Sequence, residues 1–330
     1  MKKTNNLAIL ILSVLIGTSC DVKEKKKENM SLKEEKNEIT QSGTIHVFES
    51  DANGFNTKTI FYDDGKEVIA FDAQFTEGAA QQAIDFLRTK TSNPIAYLVV
   101  THPNPDKFNG IPAFKKEGAK IIMSELSSKN MEGVHNYKKY YFVEMAKMFT
   151  DENYPKLPKA DITFNENYEI KTANGKSIQL KELKQKGIST NQTVAYIKDV
   201  DALIVGDLVH HKAHAWLEGP IIEGNTSYNI NNWVDALKTV QKTYPEDVIV
   251  YGGRGDSAKL SISIPEQINY LQKAESITKT YIETLEGTNI NNKKEKVDYE
   301  VLTKKFEEIF PSYNLSYMIT YGAYGLVSSL

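Results

Sequence analysis

Ile95-Ala96-Tyr97-Leu98-Val99-Val100-Thr101-His102-Pro103-Asn104-Pro105-Asp106-Lys107-Phe108-Asn109-Gly110 is the stretch of this 330-residue chain that decides its fold. Ile95 to Val100 is apolar and rich in β-branched side chains, as a buried strand would be. Pro103, Pro105 and Asn109-Gly110 then break regular structure. His102, Asn104, Asp106 and Lys107 are therefore expected on a loop at the end of a buried strand, where α/β folds carry their chemistry.

Upstream, Thr57 to Tyr62, the turn Asp63-Asp64-Gly65-Lys66 and the run Glu67 to Asp72 read as a hairpin ending in an Asp, and a helix is expected from about Gly78 to Lys90. Downstream come Gly187-Ile188-Ser189-Thr190-Asn191-Gln192-Thr193, then Leu203-Ile204-Val205-Gly206-Asp207, then Val248-Ile249-Val250-Tyr251-Gly252-Gly253-Arg254-Gly255.

In this order the five segments resemble the metallo-β-lactamase superfamily, whose pattern is Thr-His-x-His-x-Asp-His-x-x-Gly. The resemblance covers roughly residues 44 to 260. It implies a four-layered αββα sandwich with a dinuclear zinc site: three imidazoles hold one ion, an Asp and two His hold the second, and a further carboxylate bridges them. Carried over position by position, His102, Asp106 and Asp207 keep the family's residues, while Asn104, Lys107, Ile188 and Arg254 replace imidazoles. Two ligands per ion fall short of the three or more that zinc sites use. Lys107 and Arg254 stay protonated, and a unit charge about 4 Å from a divalent cation costs several kcal/mol. The same cations can pair with Asp106 and Asp207, so covalently attached charge is expected where the metal would be. The expectation is no cofactor, or a single zinc. Its ligands would be His102 and Asp207 completed by His210, His211 or His214, expected on the loop after Asp207. His46 and His135 stand away from these motifs and are assigned to surface or packing.

Lys2-Lys3, the apolar run Leu7 to Ile16 and Gly17-Thr18-Ser19-Cys20 follow the basic, apolar, small order of a secretory signal, and the run is too short for a permanent span. The segment resembles the lipobox of bacterial lipoproteins. That resemblance implies acylation of Cys20, the only cysteine, and attachment to the cell envelope outside the cytoplasm. Residues 21 to 41 are mostly Lys, Glu and Asn and read as a solvated tether. Residues 42 to 264 would form the sandwich, with an insertion at about 127 to 158, and residues 265 to 330 a C-terminal helical extension. The formal net charge is −3 and basic residues do not cluster with aromatics, which argues against nucleic acid.

The insertion carries Met131, Tyr137, Tyr140, Tyr141, Phe142, Met145, Met148 and Phe149 partly at helical spacing. This suits a helix packed on the sandwich or the wall of an aromatic cleft. Beyond Pro265 an amphipathic helix is expected to about Leu285, then a polar linker, then a helix from about Asp298 to Phe310. The aromatic stretch Tyr313 to Leu330 is expected to pack on the core or on a partner. Three functions fit these observations. The cleft could bind a small polar or anionic molecule through Asn104, Lys107 and Arg254. It could be a one-metal hydrolase beside His102 with Asp106 as general base. Or the protein could be a non-catalytic interaction protein of the envelope.

Overall fold

Short apolar runs bounded by turn residues form two six-stranded sheets in a computed structural model that describes residues 42–330. The expected signal segment, Cys20 and the tether lie outside these residues. One sheet runs β1 (Thr44–Glu49), β2 (Lys58–Asp63), β3 (Val68–Phe71), β4 (Ile95–Val99), β5 (Lys120–Ser124) and β6 (Ile162–Phe164) in spatial as in chain order. Its first three strands are antiparallel and its last four parallel. In between lie α1 (Glu77–Arg88), capped by Thr76, then the single turn α2 (Pro105–Phe108), α3 (Ile111–Lys116) and α4 (Glu125–Tyr140).

The second sheet contains β7 (Asn167–Lys171), β8 (Ser177–Glu182), β9 (Thr193–Ile197) and β10 (Ala202–His211). After the small ladder β11 (Ile221–Ile222) and β12 (Asn225–Thr226) and the helix α5 (Ile230–Thr243), it gains β13 (Ile249–Gly255), parallel to β10, and β14 (Ala258–Lys259). The C-terminal helices are α6 (Leu260–Thr284), α7 (Ile290–Lys294), α8 (Tyr299–Ile309), α9 (Tyr317–Gly322) and α10 (Tyr324–Ser329).

The layers follow from which faces are apolar. Ile60, Tyr62, Ile69, Phe71 and Val99 of the first sheet meet Ile178, Leu180, Ala195 and Ile204 of the second, and this is the central core. The outer face of the first sheet packs on Ala80, Ile84 and Leu87 of α1 and Phe114 of α3. On the outer face of the second, Trp233 and Leu237 of α5, Leu271 of α6, Phe306 of α8 and Leu326 of α10 share one core. The arrangement is the expected αββα sandwich with a C-terminal helical region.

The structure corrects the sequence reading at three places. β10 does not stop at Asp207 but runs on to His211, because Gly206 at φ +52° bends it and re-registers it against β13. Any side chain at Gly206 would also lie 2.4 Å from Thr101 Oγ1. Pro265 does not open a helix: α6 begins at Leu260, and a proline in its second turn removes one backbone hydrogen bond while Leu260, Ile264 and Leu271 bury the same face. A boundary between 264 and 265 therefore falls inside a helix, and the extension shares a core with the second sheet. The linker expected after α6 contains α7, and Tyr313 to Leu330 packs on the core through α9 and α10.

Candidate functional site

Four strands converge on one spot. Asp72 follows β3, Thr101-His102 follows β4, Asp207 lies in β10 and Arg254 in β13, while α2 contributes Asp106 and Lys107. Lys107 is fully buried, and its Nζ lies 2.7 Å from Asp207 Oδ1, 2.9 Å from Asp106 Oδ2 and 3.9 Å from Asp72 Oδ2. Arg254 closes the other side, its Nη1 donating to Asp207 Oδ2 at 2.8 Å and its Nη2 to Asp106 Oδ2 at 2.9 Å. Its Nε donates to the Phe55 carbonyl at 2.8 Å and Nη2 also to Thr57 Oγ1 at 3.0 Å. Close packing makes this possible: a Cβ on Gly253 would sit 1.8 Å from Asp207 Oδ1.

Charge is conserved inside the cluster. Burial would raise both carboxylates, but Lys107 and Arg254 outweigh it, so Asp106 is held below the ordinary value and Asp207 well below it. Burial would likewise lower Lys107 and Arg254, and the carboxylates outweigh it and raise both. Asp72 lies behind Lys107 with less compensation. Burial lifts it to about 7, against Lys107 and the hydrogen bonds from the Thr101 backbone and hydroxyl.

His102 is fully buried and burial lowers it to about 4. The Thr101 hydroxyl donates to Asp72 and accepts from His102 Nδ1 at 2.9 Å, so Nε2 keeps its lone pair, 3.7 Å from Asp207 Oδ2 and without a hydrogen-bond partner. His210 mirrors it. Its Nδ1 faces the His214 carbonyl at 3.3 Å, and its unpartnered Nε2 lies 3.6 Å from Asp207 Oδ1. Of the three proposed replacement ligands only His210 reaches the cluster. His211 points its Nδ1 at Glu266, 3.0 Å away, and His214 is packed among Tyr270, Phe306, Phe310 and Tyr313. His135 packs against Phe108 and Tyr154, and His46 sits partly exposed on β1.

A cavity of about 40 Å³ lies over the cluster, lined by Asn104, Asp106, Asp207 and Arg254 below and by Phe55, Phe75, Phe142, Ile188, Trp216 and Lys138 above. Lys107 is absent from its wall. The expectation that Lys107 would recruit an anion is therefore corrected, because its charge is consumed by Asp106 and Asp207 beneath the surface. Asn104 remains available, its Oδ1 only 3.5 Å from the Ser189 hydroxyl. The insertion does form a wall: α4 and the π-turn Tyr141–Met145 bring Phe142 beside Phe55 and Phe75. Lys138 of α4 is bonded to the buried Glu218 carboxylate, with its Nζ 5.2 Å from the Trp216 ring centre, and Trp216 Nε1 donates to the same carboxylate at 3.1 Å.

Sequence reasoning missed Thr57, Asp72 as a buried ionisable member of the cluster, and the Lys138–Glu218 pair. Asp72 carried a signal as the strand-final Asp. The other residues did not, because Thr57 is an ordinary strand-flanking residue and Lys138 and Glu218 are 80 positions apart.

The residues present do not fit a dinuclear metal centre. The Asp106 and Asp207 oxygens that would face the ions are turned onto an ammonium and a guanidinium. Among the described residues, no group of three or more His, Cys, Asp or Glu is arranged to hold a metal.

Among solved structures, the chain is similar to a metallo-beta-lactamase from Pontibacter korlensis at 18% identity and TM-score 0.52, covering 71% of this chain and 96% of that one. It is also similar to the DIM-1 metallo-beta-lactamase in a crystal exposed to ceftazidime, at 16% identity, 72% and 95% coverage and TM-score 0.52. TMB-1 follows at 17% identity, 71% and 94% coverage and TM-score 0.51. No protein-family profile and no curated protein matches the sequence. The chain has the metallo-β-lactamase fold with a C-terminal helical region.

Proposed function

We propose that this protein uses the metallo-β-lactamase fold as a binding scaffold, with Lys107 and Arg254 standing where a dinuclear centre would lie. The cleft above them would take a small polar molecule without zinc-dependent hydrolysis, on a protein tethered to the envelope through acylated Cys20. The observation that carries this reading is the Lys107 ammonium, 2.7 and 2.9 Å from Asp207 and Asp106. A divalent ion on the same oxygens would sit about 2 Å from them and within about 4 Å of that ammonium, where repulsion costs several kcal/mol.

Catalysis by the remaining groups has little to draw on. Asp106 is held below the ordinary carboxylate value, which makes it a weak general base, and His102 has no face on the cavity. Asn104, Arg254, Lys138 and the solvent-reached edge of Asp106 are left as the polar contacts for a ligand. Turnover assays on β-lactams, thioesters, lactones and phosphodiesters test the proposal, which expects negligible rates that chelators leave unchanged.

One observation favours a second reading. The bare Nε2 atoms of His102 and His210 flank Asp207, and each ring is oriented through its other nitrogen, as imidazole ligands usually are. A one-metal hydrolase would use these three residues after displacement of Lys107 or Arg254. Its signature is activity that chelators remove, Zn²⁺ or Mn²⁺ restores and His210→Ala abolishes.

A further inference from the structure

Outside the cavity, sharing its Phe55, Phe142 and Trp216 walls, lies a groove of about 760 Å³. That volume is the size of an ordinary small-molecule site, whereas the inner cavity holds only a few water molecules or one small polar group. The groove is built by the two additions to the sandwich. The insertion supplies Tyr141, Met145 and Met148, and the C-terminal region supplies Tyr317 and Tyr321. The two sides meet where Tyr324 stacks on Tyr141 at 6.3 Å, and the Tyr317 hydroxyl donates to Asn56 Oδ1 at 2.9 Å.

Met145 is 65% exposed, Tyr321 54% and Met148 48%, so three of the largest exposed apolar side chains of the described residues surround one opening. Unbranched methionines adapt to apolar ligands of varied shape. The charges at the inner end decide the head group. Asp106 and Asp207 against Arg254 and Lys138 sum to zero, as do the partners behind them, Lys107 and Glu218, while Asp72, on the far side of Lys107, is lifted by burial toward its neutral form. A charged head would bring an unbalanced charge into a balanced, largely buried set. A neutral head that donates and accepts hydrogen bonds, such as an amide or hydroxyl, meets no such penalty, and Asn104 and the solvent-reached edge of Asp106 are there to receive it.

Resting on the reading of the cleft as a ligand site, we infer that its ligand is an uncharged amphiphile: an amide- or alcohol-type head in the inner cavity and an alkyl or aromatic body in the groove between the insertion and α9.

The test titrates the protein, in detergent-free buffer, with N-alkylacetamides from methyl to octyl, and with alkyl carboxylates and alkylammonium ions of matched length. Trp216 fluorescence reports binding, because Trp233, the other tryptophan, is fully buried in the core; ligand-observed NMR covers the short members. Affinity is expected to rise by about fourfold per methylene until the groove is filled, with neutral heads at least tenfold tighter than either charged series. Met145→Glu and Tyr321→Glu, at exposed positions, should weaken the octyl member about tenfold and leave the methyl member unchanged. A methyl member that binds while affinity stays flat with chain length overturns the amphiphile and leaves the ligand site standing. Tighter binding of a charged series overturns the neutral head. If no member binds, the ligand-site reading falls, and this inference with it.

Discussion

Arg254→Met isolates the electrostatics of the cluster. The side chain is 4% exposed and makes four hydrogen bonds, two of them to carboxylates at 2.8 and 2.9 Å. Methionine keeps much of the volume and removes the charge, leaving Asp106 and Asp207 to share Lys107 alone. Breaking a buried pair by removing one member costs about 3–5 kcal/mol, against at most about 1 kcal/mol for an exposed pair. That is a large part of the roughly 5–15 kcal/mol that holds a domain together. Denaturant unfolding followed by far-UV circular dichroism should show the loss as a lower midpoint with an unchanged slope. Adding Asp106→Asn to the variant restores charge balance, so the double variant should be more stable than the sum of the single effects by on the order of 1–3 kcal/mol. The deficit should also shrink on acidification. A stranded carboxylate has a raised folded-state pKa, and the stability this gives at low pH is lost as pH rises through that value. A deficit under about 1 kcal/mol, or strictly additive effects, would refute the argument.

Two buried groups should tilt the pH profile in opposite directions. His102, lowered to about 4, refuses a proton that the unfolded chain accepts below about 6.5, so it costs up to about 3 kcal/mol as pH falls through that window. Asp72, raised to about 7, holds a proton that the unfolded chain releases near 3.8, so its contribution is full at low pH and lost as pH rises through about 7. Asp72→Asn removes the second effect, and its melting temperature should therefore fall more steeply on acidification than the parent's; parallel curves would contradict the assignment. Cys20→Ala should release the protein from membranes or leave its signal uncleaved, as fractionation and N-terminal mass spectrometry would show, and membrane association with a cleaved signal would count against lipidation.

The sandwich was legible because its signals are local: β-branched runs, the Asp63 to Lys66 turn and strand-terminal glycines each encode one element, and their order encodes the topology. The charge substitutions were legible for the same reason, since Lys107 and Arg254 occupy positions that a pattern marks. What was not legible depends on tertiary packing. Lys107 lies beneath the cavity because its ammonium is drawn onto Asp106 and Asp207, the latter a pairing across 100 positions that no local pattern shows. His210 and His211 are neighbours in sequence, yet one reaches Asp207 and the other Glu266, because β10 continues past its glycine bend. The continuation of α6 through Pro265 is a similar case, where the burial of a helix face outweighs a local breaker.

Elemental analysis of the protein, purified without chelators or immobilised-metal resin, measures directly whether covalently attached cations have replaced metal. The prediction is well under one zinc or other transition-metal ion per chain, with a melting temperature that added Zn²⁺ barely changes; a ligand at about a hundred times its dissociation constant would add about 2.7 kcal/mol. Two tightly held ions per chain would contradict it.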